Sequence, residues 1–257
     1  MNATPTSLLI TGASSGLGAA LAEAYAAPGV TLYLTARDAA RLQAVAARCE
    51  AKGARAVTAC LDVREKAPLA AFITAADDAT PLDLVIANAG ISTGSFSGAE
   101  TLDAAEAVFA VNVMGVLYTL HPIIPRMVAR GRGQLAILAS LASICALPGA
   151  PAYSASKAAV RYYGEALAGK LKPHGVRVSV ICPGWIVTPL TDRNDFPMPF
   201  LMSAARAATR IQRGLATGKT LLLFPRRLGL PLLLLAALPH ALRRALLGAI
   251  PEKRQKH

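Results

Sequence analysis

Short apolar runs rich in β-branched or aliphatic residues recur along the first 200 residues: SLLIT, VTLYLTA, ARAVTACL, DLVIAN, GQLAILAS and VRVSVICP. Each is short and nearly continuous in apolar character, the pattern of a parallel strand buried on both faces. Between them lie alanine-rich stretches with helical spacing, GAALAEAYAA, AARLQAVAARCEAKG and PLAAFITAADDA, several of them punctuated by Gly or Pro. A further strand is predicted at residues 220–224. Strands alternating with helices in this way predict an α/β fold, doubly wound around a mostly parallel seven-stranded sheet.

Composition narrows the picture. A chain of 257 residues that is 54% hydrophobic can bury a sizeable single core, which argues against disorder. No repeat and no linker divides it. Cys49, Cys60, Cys145 and Cys182 stand far apart, without the paired spacing of a zinc site or a redox dithiol, so they read as reduced thiols of a cytoplasmic protein, with no metal expected. Cys145 lies close enough in sequence to Ser140 to line a pocket or simply to pack. The amino-terminal MNATPTSLLITG lacks the basic and long apolar regions of a secretory signal. The net charge of +12 is concentrated at one end: residues 204–257 carry 11 Lys/Arg against Glu252 alone.

The first strand runs into TGASSGLG, residues 11–18, and straight into a helix. Gly12 permits a sharp turn, Gly16 lets backbone approach a pyrophosphate, and Gly18 allows close helix packing, while the helix amides offer an anion site. With a strand before and a helix after, the pattern reads as the nucleotide loop of a Rossmann-type fold. The second strand ends in LTARD, where an NAD-preferring site usually holds an acid. Here the position falls on Ala36, followed by Arg37, whose guanidinium suits bidentate phosphate binding. Asp38 follows at once and is placed to pair with Arg37.

Tyr153 and Lys157, in PAYSASKAAV, are four residues apart and share a helical face. A free phenol titrates near ~10, and a neighbouring ammonium favours its phenolate, making it a usable acid/base at neutral pH. Carbonyl reduction needs a hydride at carbon and a proton at oxygen, and such a tyrosine supplies the second.

The TGxxxGxG spacing, LTARD, Asp62-Val63, Asn88-Ala89-Gly90, Asn112 in VFAVNVMG, Ser140 after ILA, the Tyr153/Lys157 pair and PGWIVT occur in order over about residues 6–190. In this the chain resembles the short-chain dehydrogenase/reductase family. The resemblance implies NADP(H) as cofactor, with Arg37 and Ser14 at the 2′-phosphate and Ser15 and Leu17 in the glycine loop. It puts Asp62 and Val63 at the adenine, and Asn88, Ala89 and Gly90 beside the nicotinamide ribose. Pro183, Gly184, Ile186 and Thr188 would hold the carboxamide. It also implies Tyr153 as general acid/base, Lys157 as its modulator and a ligand of the ribose, Ser140 as the group orienting the substrate oxygen, and Asn112 as support of a proton relay through water. Relatives are commonly dimers or tetramers, so a homo-oligomer is expected.

The expected boundaries are a catalytic domain at 1–225, with a substrate lid at about 189–217, and an extension at 226–257. Phe196, Met198, Phe200, Leu201 and Met202 make the lid apolar, which suits a small lipophilic carbonyl or alcohol or reflects ordinary packing; Arg193 suits an acidic group. The extension has twelve uncharged residues from Leu228 to Pro239, interrupted by Pro231, too few for the ~20 that span a bilayer. Its apolar residues, flanked by Arg226, Arg227, Arg243, Arg244, Lys253, Arg254 and Lys256, suit peripheral contact with an anionic membrane, an interface between subunits, or a cover on the substrate mouth. A second functional class is a silent NADP(H)-binding sensor or scaffold. The tail's only aromatic is Phe224, so it lacks a stacking platform and no nucleic-acid partner is expected.

Overall fold

The computed structural model describes residues 4–92, 100–146, 149–189, 191, 198–239 and 242. The first six strands follow the apolar runs: β1 (Ser7–Thr11), β2 (Thr31–Ala36), β3 (Arg55–Cys60), β4 (Leu84–Ala87), β5 (Gly133–Leu138) and β6 (Val176–Pro183). A two-residue ladder, β7 (Ile186–Val187) with β8 (Met202–Ser203), comes next, and β9 (Leu221–Phe224) closes the set. The large sheet has the order β3-β2-β1-β4-β5-β6-β9. Every pair in it is parallel, not merely most, because each connection crosses over through a helix.

Side chains of successive strand residues point to opposite faces, and two separate cores result. Leu8, Ile10, Leu32, Leu34 and Ile86 face α1 (Gly16–Tyr25), α2 (Ala39–Glu50) and α8 (Ala204–Ala216). Leu9, Tyr33, Val85, Leu135 and Ile137 face the other layer. That layer is built from α3 (Lys66–Ala79), α4 (Leu102–Phe109), α5 (Gly115–Leu120), α6 (Ile124–Ala129), α7 (Pro151–Leu171) and α9 (Arg226–Ala237). Strand order reverses between β1 and β4, which opens a crevice at their carboxyl ends where such folds take ligands.

Two parts of the expected lid and extension are core elements. Ala207, Ala208, Ile211 and Leu215 of α8 are buried, and Gln212 Nε2 donates to Ala24 O at 3.0 Å at the end of α1. The helix α9 continues through Pro231, which removes one N–H from its ladder without ending it. Leu228 and Leu232 turn inward against the α7-side core. Arg193, Phe196 and the basic residues from Arg243 onward lie outside the described residues.

One ionic knot ties α3 and α6 to the segment that enters β4, at the amino end of the sheet. Asp77, its side chain 3% exposed, accepts from Leu82 N at 2.8 Å, Arg126 Nε at 2.6 Å and Arg130 Nη1 at 2.7 Å. Burial pushes this carboxyl up, but the N–H donors outweigh it and hold it below the usual carboxylate range. Its contribution to stability is therefore complete above ~4 and is lost as the pH falls through the lower folded-state value. Asp77→Asn should destabilise the fold by about 2 kcal/mol, the scale of charged hydrogen bonds. Urea unfolding at neutral pH reads the loss, and the gap between variant and parent should narrow in acid.

Candidate active site

The turn after β1 is shaped by backbone that only glycine tolerates. Gly12 has φ +68° and Gly16 φ +53°. A Cβ at Gly18 would stand 2.2 Å from Gly12 O and 2.6 Å from Asn88 Nδ2, so α1 packs directly on the turn. Asn88 holds the same turn from the next strand: its Nδ2 donates to Thr11 O at 2.9 Å and Gly12 O at 3.2 Å. Thr11 Oγ1 accepts from Asn88 N at 3.1 Å and Ala89 N at 3.3 Å. Thr11 was not singled out from sequence, although it immediately precedes the first glycine of the motif. Ser14, Ser15, Gly16 and Leu17 follow, half-buried, at the amino end of α1.

Across the crevice, Thr188 faces this loop: a Cβ on Gly16 would meet Thr188 Cγ2 at 3.0 Å. Pro183 ends β6, Gly184 N donates to Phe224 O at 2.8 Å, and Ile186 is buried. Thr191, also missed from sequence, fixes the segment by donating from Oγ1 to Ile186 O at 2.7 Å and accepting from Thr188 N at 2.9 Å. Glycine loop and PGWIVT segment form the two walls of a slot closed to any added side chain, a cradle that fits a dinucleotide.

At the end of β2, Arg37 leaves 64% of its side chain exposed, 4.0 Å from Asp62. Asp62 is engaged elsewhere, accepting from Arg64 Nη2 at 2.7 Å and Nε at 3.0 Å, and the Arg64 guanidinium holds its carboxyl below the ordinary range. Asp38 does not pair with Arg37. It caps α2, accepting from Arg41 N at 3.0 Å, and pairs with Arg41 Nε at 3.2 Å, because a carboxylate at a helix start is better placed over the free amides than beside its neighbour. Val63 packs on Gly115, where a Cβ would come within 2.7 Å of Val63 Cγ2.

The chemical groups gather past β5. Ser140 Oγ accepts from Ala142 N at 3.1 Å and so opens a 3₁₀ turn, Leu141–Ser143. Ser143 Oγ donates to Ser140 O at 2.5 Å. Tyr153 lies in the first turn of α7, whose first residue is Pro151. Lys157 is 4% exposed, and its Nζ donates to Leu138 O at 2.8 Å, 5.8 Å from the centre of the Tyr153 ring. Burial brings the ammonium down to about 8. The Tyr153 phenol moves up rather than down: burial raises it, and its hydrogen bond with Ser140 only partly opposes this. Lys157 does not bring the phenol down in this arrangement: its ammonium is bonded to Leu138 O and stands over the Tyr153 ring.

Asn112 lies in a π-helical turn, Ala110–Met114, a deviation that often marks functional positions. Its Oδ1 accepts from Ile91 N at 2.8 Å, and its Nδ2 donates to Ile91 O at 2.9 Å and to Ser156 Oγ at 3.0 Å. Ser156 Oγ in turn donates to Tyr153 O at 2.8 Å. A Cβ on Gly90 would meet Lys157 Nζ at 3.2 Å and Asn112 Oδ1 at 3.3 Å. The sequence-predicted residues thus converge from β4, the π turn, β5 and α7 on one end of the crevice, while Arg37 and Asp62 stand at the other.

Known proteins share this sequence family and fold. The short chain dehydrogenase family profile matches residues 6–196. An uncharacterized oxidoreductase of Myxococcus xanthus is 39% identical over 237 residues, 91% of this chain and 93% of that one. A short-chain dehydrogenase from Sphingobium yanoikuyae, solved with NADPH, is 27% identical, with a TM-score of 0.78 over 97% of this chain and 98% of its own. Another from Burkholderia phymatum, solved with NAD, is 27% identical, with a TM-score of 0.81 over 88% and 91%. With a family match across most of its length and a matching seven-stranded fold, this chain belongs to the short-chain dehydrogenase/reductase family of oxidoreductases.

Proposed function

We propose that the protein is an NADP(H)-dependent oxidoreductase that interconverts a carbonyl and a secondary alcohol on a small lipophilic substrate. The observation that carries this reading is the meeting of Tyr153, Ser140 and Lys157 at the carboxyl end of β5, facing the glycine loop across one crevice. A nicotinamide nucleotide bound in the crevice supplies or accepts the hydride. Gly12, Gly16 and Gly18 with the α1 amides would receive its pyrophosphate, and Arg37 its 2′-phosphate. Relatives are solved with NADPH and with NAD, and what favours NADP(H) here is Arg37 beside Ala36, where no acid stands.

In reduction, Ser140 Oγ donates a hydrogen bond to the carbonyl oxygen and Tyr153 gives it a proton. A phenol pushed up by burial is fully protonated at neutral pH, which is the form a proton donor needs. As negative charge appears on Tyr153 Oη, the hydrogen bond with Ser140 stabilises it, and the Lys157 ammonium, over the ring, adds a longer-range attraction. Asn112, locked to Ile91 and Ser156, keeps the π turn beside Lys157 in register for relay of the replacement proton. Exposed Phe200 and Leu201 make the approach apolar, which favours lipophilic substrates.

The test is a turnover panel of lipophilic ketones, aldehydes and alcohols beside charged metabolites, following nicotinamide absorbance. NADPH should support lipophilic carbonyl reduction at least ~10-fold better than NADH, the scale of one charged phosphate contact. Tight NADPH binding without turnover on any member would replace the enzyme reading with that of a nucleotide sensor.

A further inference from the structure

From Leu228 on, the helix α9 is apolar all round, a composition that normally goes with complete burial in protein or lipid. Only its inner stripe is covered. Leu228 and Leu232 pack on the core and Gly229 is buried, whereas Leu230 and Leu234, offset by half a turn, are 54% and 73% exposed. Val187, Phe200 and Leu201 are exposed as well and lie on the same carboxyl edge of the sheet. β8 joins Leu201 to this edge through its pairing with β7, and a Cβ on Gly184 would meet Leu228 at 3.7 Å.

Two cations border this surface where the helix does not want them. Arg226 and Arg227 occupy the first turn of α9, the end at which the peptide dipoles favour anions and disfavour cations. Both are exposed, and among the described residues neither has an ionic partner. In sequence the segment 226–257 adds Arg243, Arg244, Lys253, Arg254 and Lys256, against the single acid Glu252.

We propose that this face docks on an anionic lipid surface, with α9 lying in the plane of the interface. The inference goes beyond the reductase reading and does not depend on it. A lipid boundary offers both things the surface lacks, an apolar layer for the leucines and negative headgroups for the arginines. At 12 residues α9 is about 18 Å long and cannot cross a bilayer. A second copy is the poorer occupant, since a symmetric contact would bring two like-charged basic segments together. Docking in this way would also present the apolar mouth of the crevice to the phase in which a lipophilic substrate dissolves.

Cosedimentation of the full-length protein with vesicles tests the proposal. At low salt the protein should pellet with phosphatidylglycerol/phosphatidylcholine vesicles but not with phosphatidylcholine alone, and ~1 M salt should release it as the Debye length shrinks. Arg226→Ser with Arg227→Ser should weaken partitioning about 30-fold, the effect of two basic residues near such a surface. Leu230→Ser with Leu234→Ser should weaken it at least ~10-fold from lost apolar insertion. Both pairs are exposed, so circular dichroism melts should match the parent and separate a binding defect from misfolding. Protein that stays in the supernatant with anionic vesicles, or leucine variants that pellet like the parent, overturns the proposal. So does a leucine variant that splits an oligomer in sedimentation velocity while vesicle binding is unchanged, which would make the face a contact between copies.

Discussion

Tyr153→Phe should lower turnover by ~10²–10⁴-fold, the contribution of a positioned general acid, while NADPH affinity stays at the parent level. The two readouts part because of how the site is held. The substitution removes only the hydroxyl that bonds with Ser140, and the ring keeps its place in α7. Ser140 remains oriented through Ala142 N, and Lys157 remains anchored on Leu138 O, so neither depends on the phenol for its position. The glycine turn is latched by Asn88 and Thr11, on the other side of the crevice. Steady-state turnover with NADPH and a good carbonyl substrate, beside a fluorescence titration of NADPH binding, measures both. Near-normal reductase activity in the variant would remove Tyr153 from the chemistry and leave Ser140 or a bound water as the proton source.

What the sequence made legible follows from what is periodic in it. Inner strands buried on both faces are almost uninterrupted apolar runs, and the edge strands β3 and β9, only partly buried, keep enough of that character for all seven to stand out within a residue or two. The ladder of β7 with β8 is two residues long on each side and has no period to read; it exists because Ile186 and Met202 are both pulled into the core. Helix α9 continued past Pro231 for the same reason: inward packing of Leu228 and Leu232 outweighs one missing backbone bond.

At the site, the residues with distinctive chemistry were visible, and the groups that hold them were not. Glycine, tyrosine and lysine announce themselves by spacing, whereas Thr11 acts through a hydroxyl that meets backbone 77 residues away, and Ser156 and Thr191 through hydroxyls that donate to carbonyls three and five residues back, contacts that no spacing pattern marks. The direction of the Tyr153 shift was also out of reach. It depends on burial and on the lysine's choice of Leu138 O as acceptor, which are properties of the packed protein.

Replacing Ala36 with Asp and Arg37 with Ala should swing cofactor preference from NADPH towards NADH, by ~10²-fold or more in the ratio of kcat/KM values. Loss of hydrogen bonds from a charged group costs about 1.5–3 kcal/mol, and a carboxylate at the end of β2 adds repulsion of a 2′-phosphate while gaining a bond to a ribose hydroxyl. Of the two acids near Arg37, Asp62 touches it only at 4.0 Å and Asp38 not at all, since both carboxylates have closer partners. Asp62 is bonded through Arg64, and Asp38 caps α2 at Arg41. Asp38→Ala therefore serves as the control: it should lower stability by about 1 kcal/mol through loss of the cap and leave cofactor preference where it was. The single Arg37→Ala change should reduce NADPH use without creating NADH use, since it removes the phosphate partner and supplies no ribose acceptor. A parent enzyme that uses NADH at least as well as NADPH, or a preference that moves with Asp38 rather than Arg37, would mean that the end of β2 reads the cofactor through another residue.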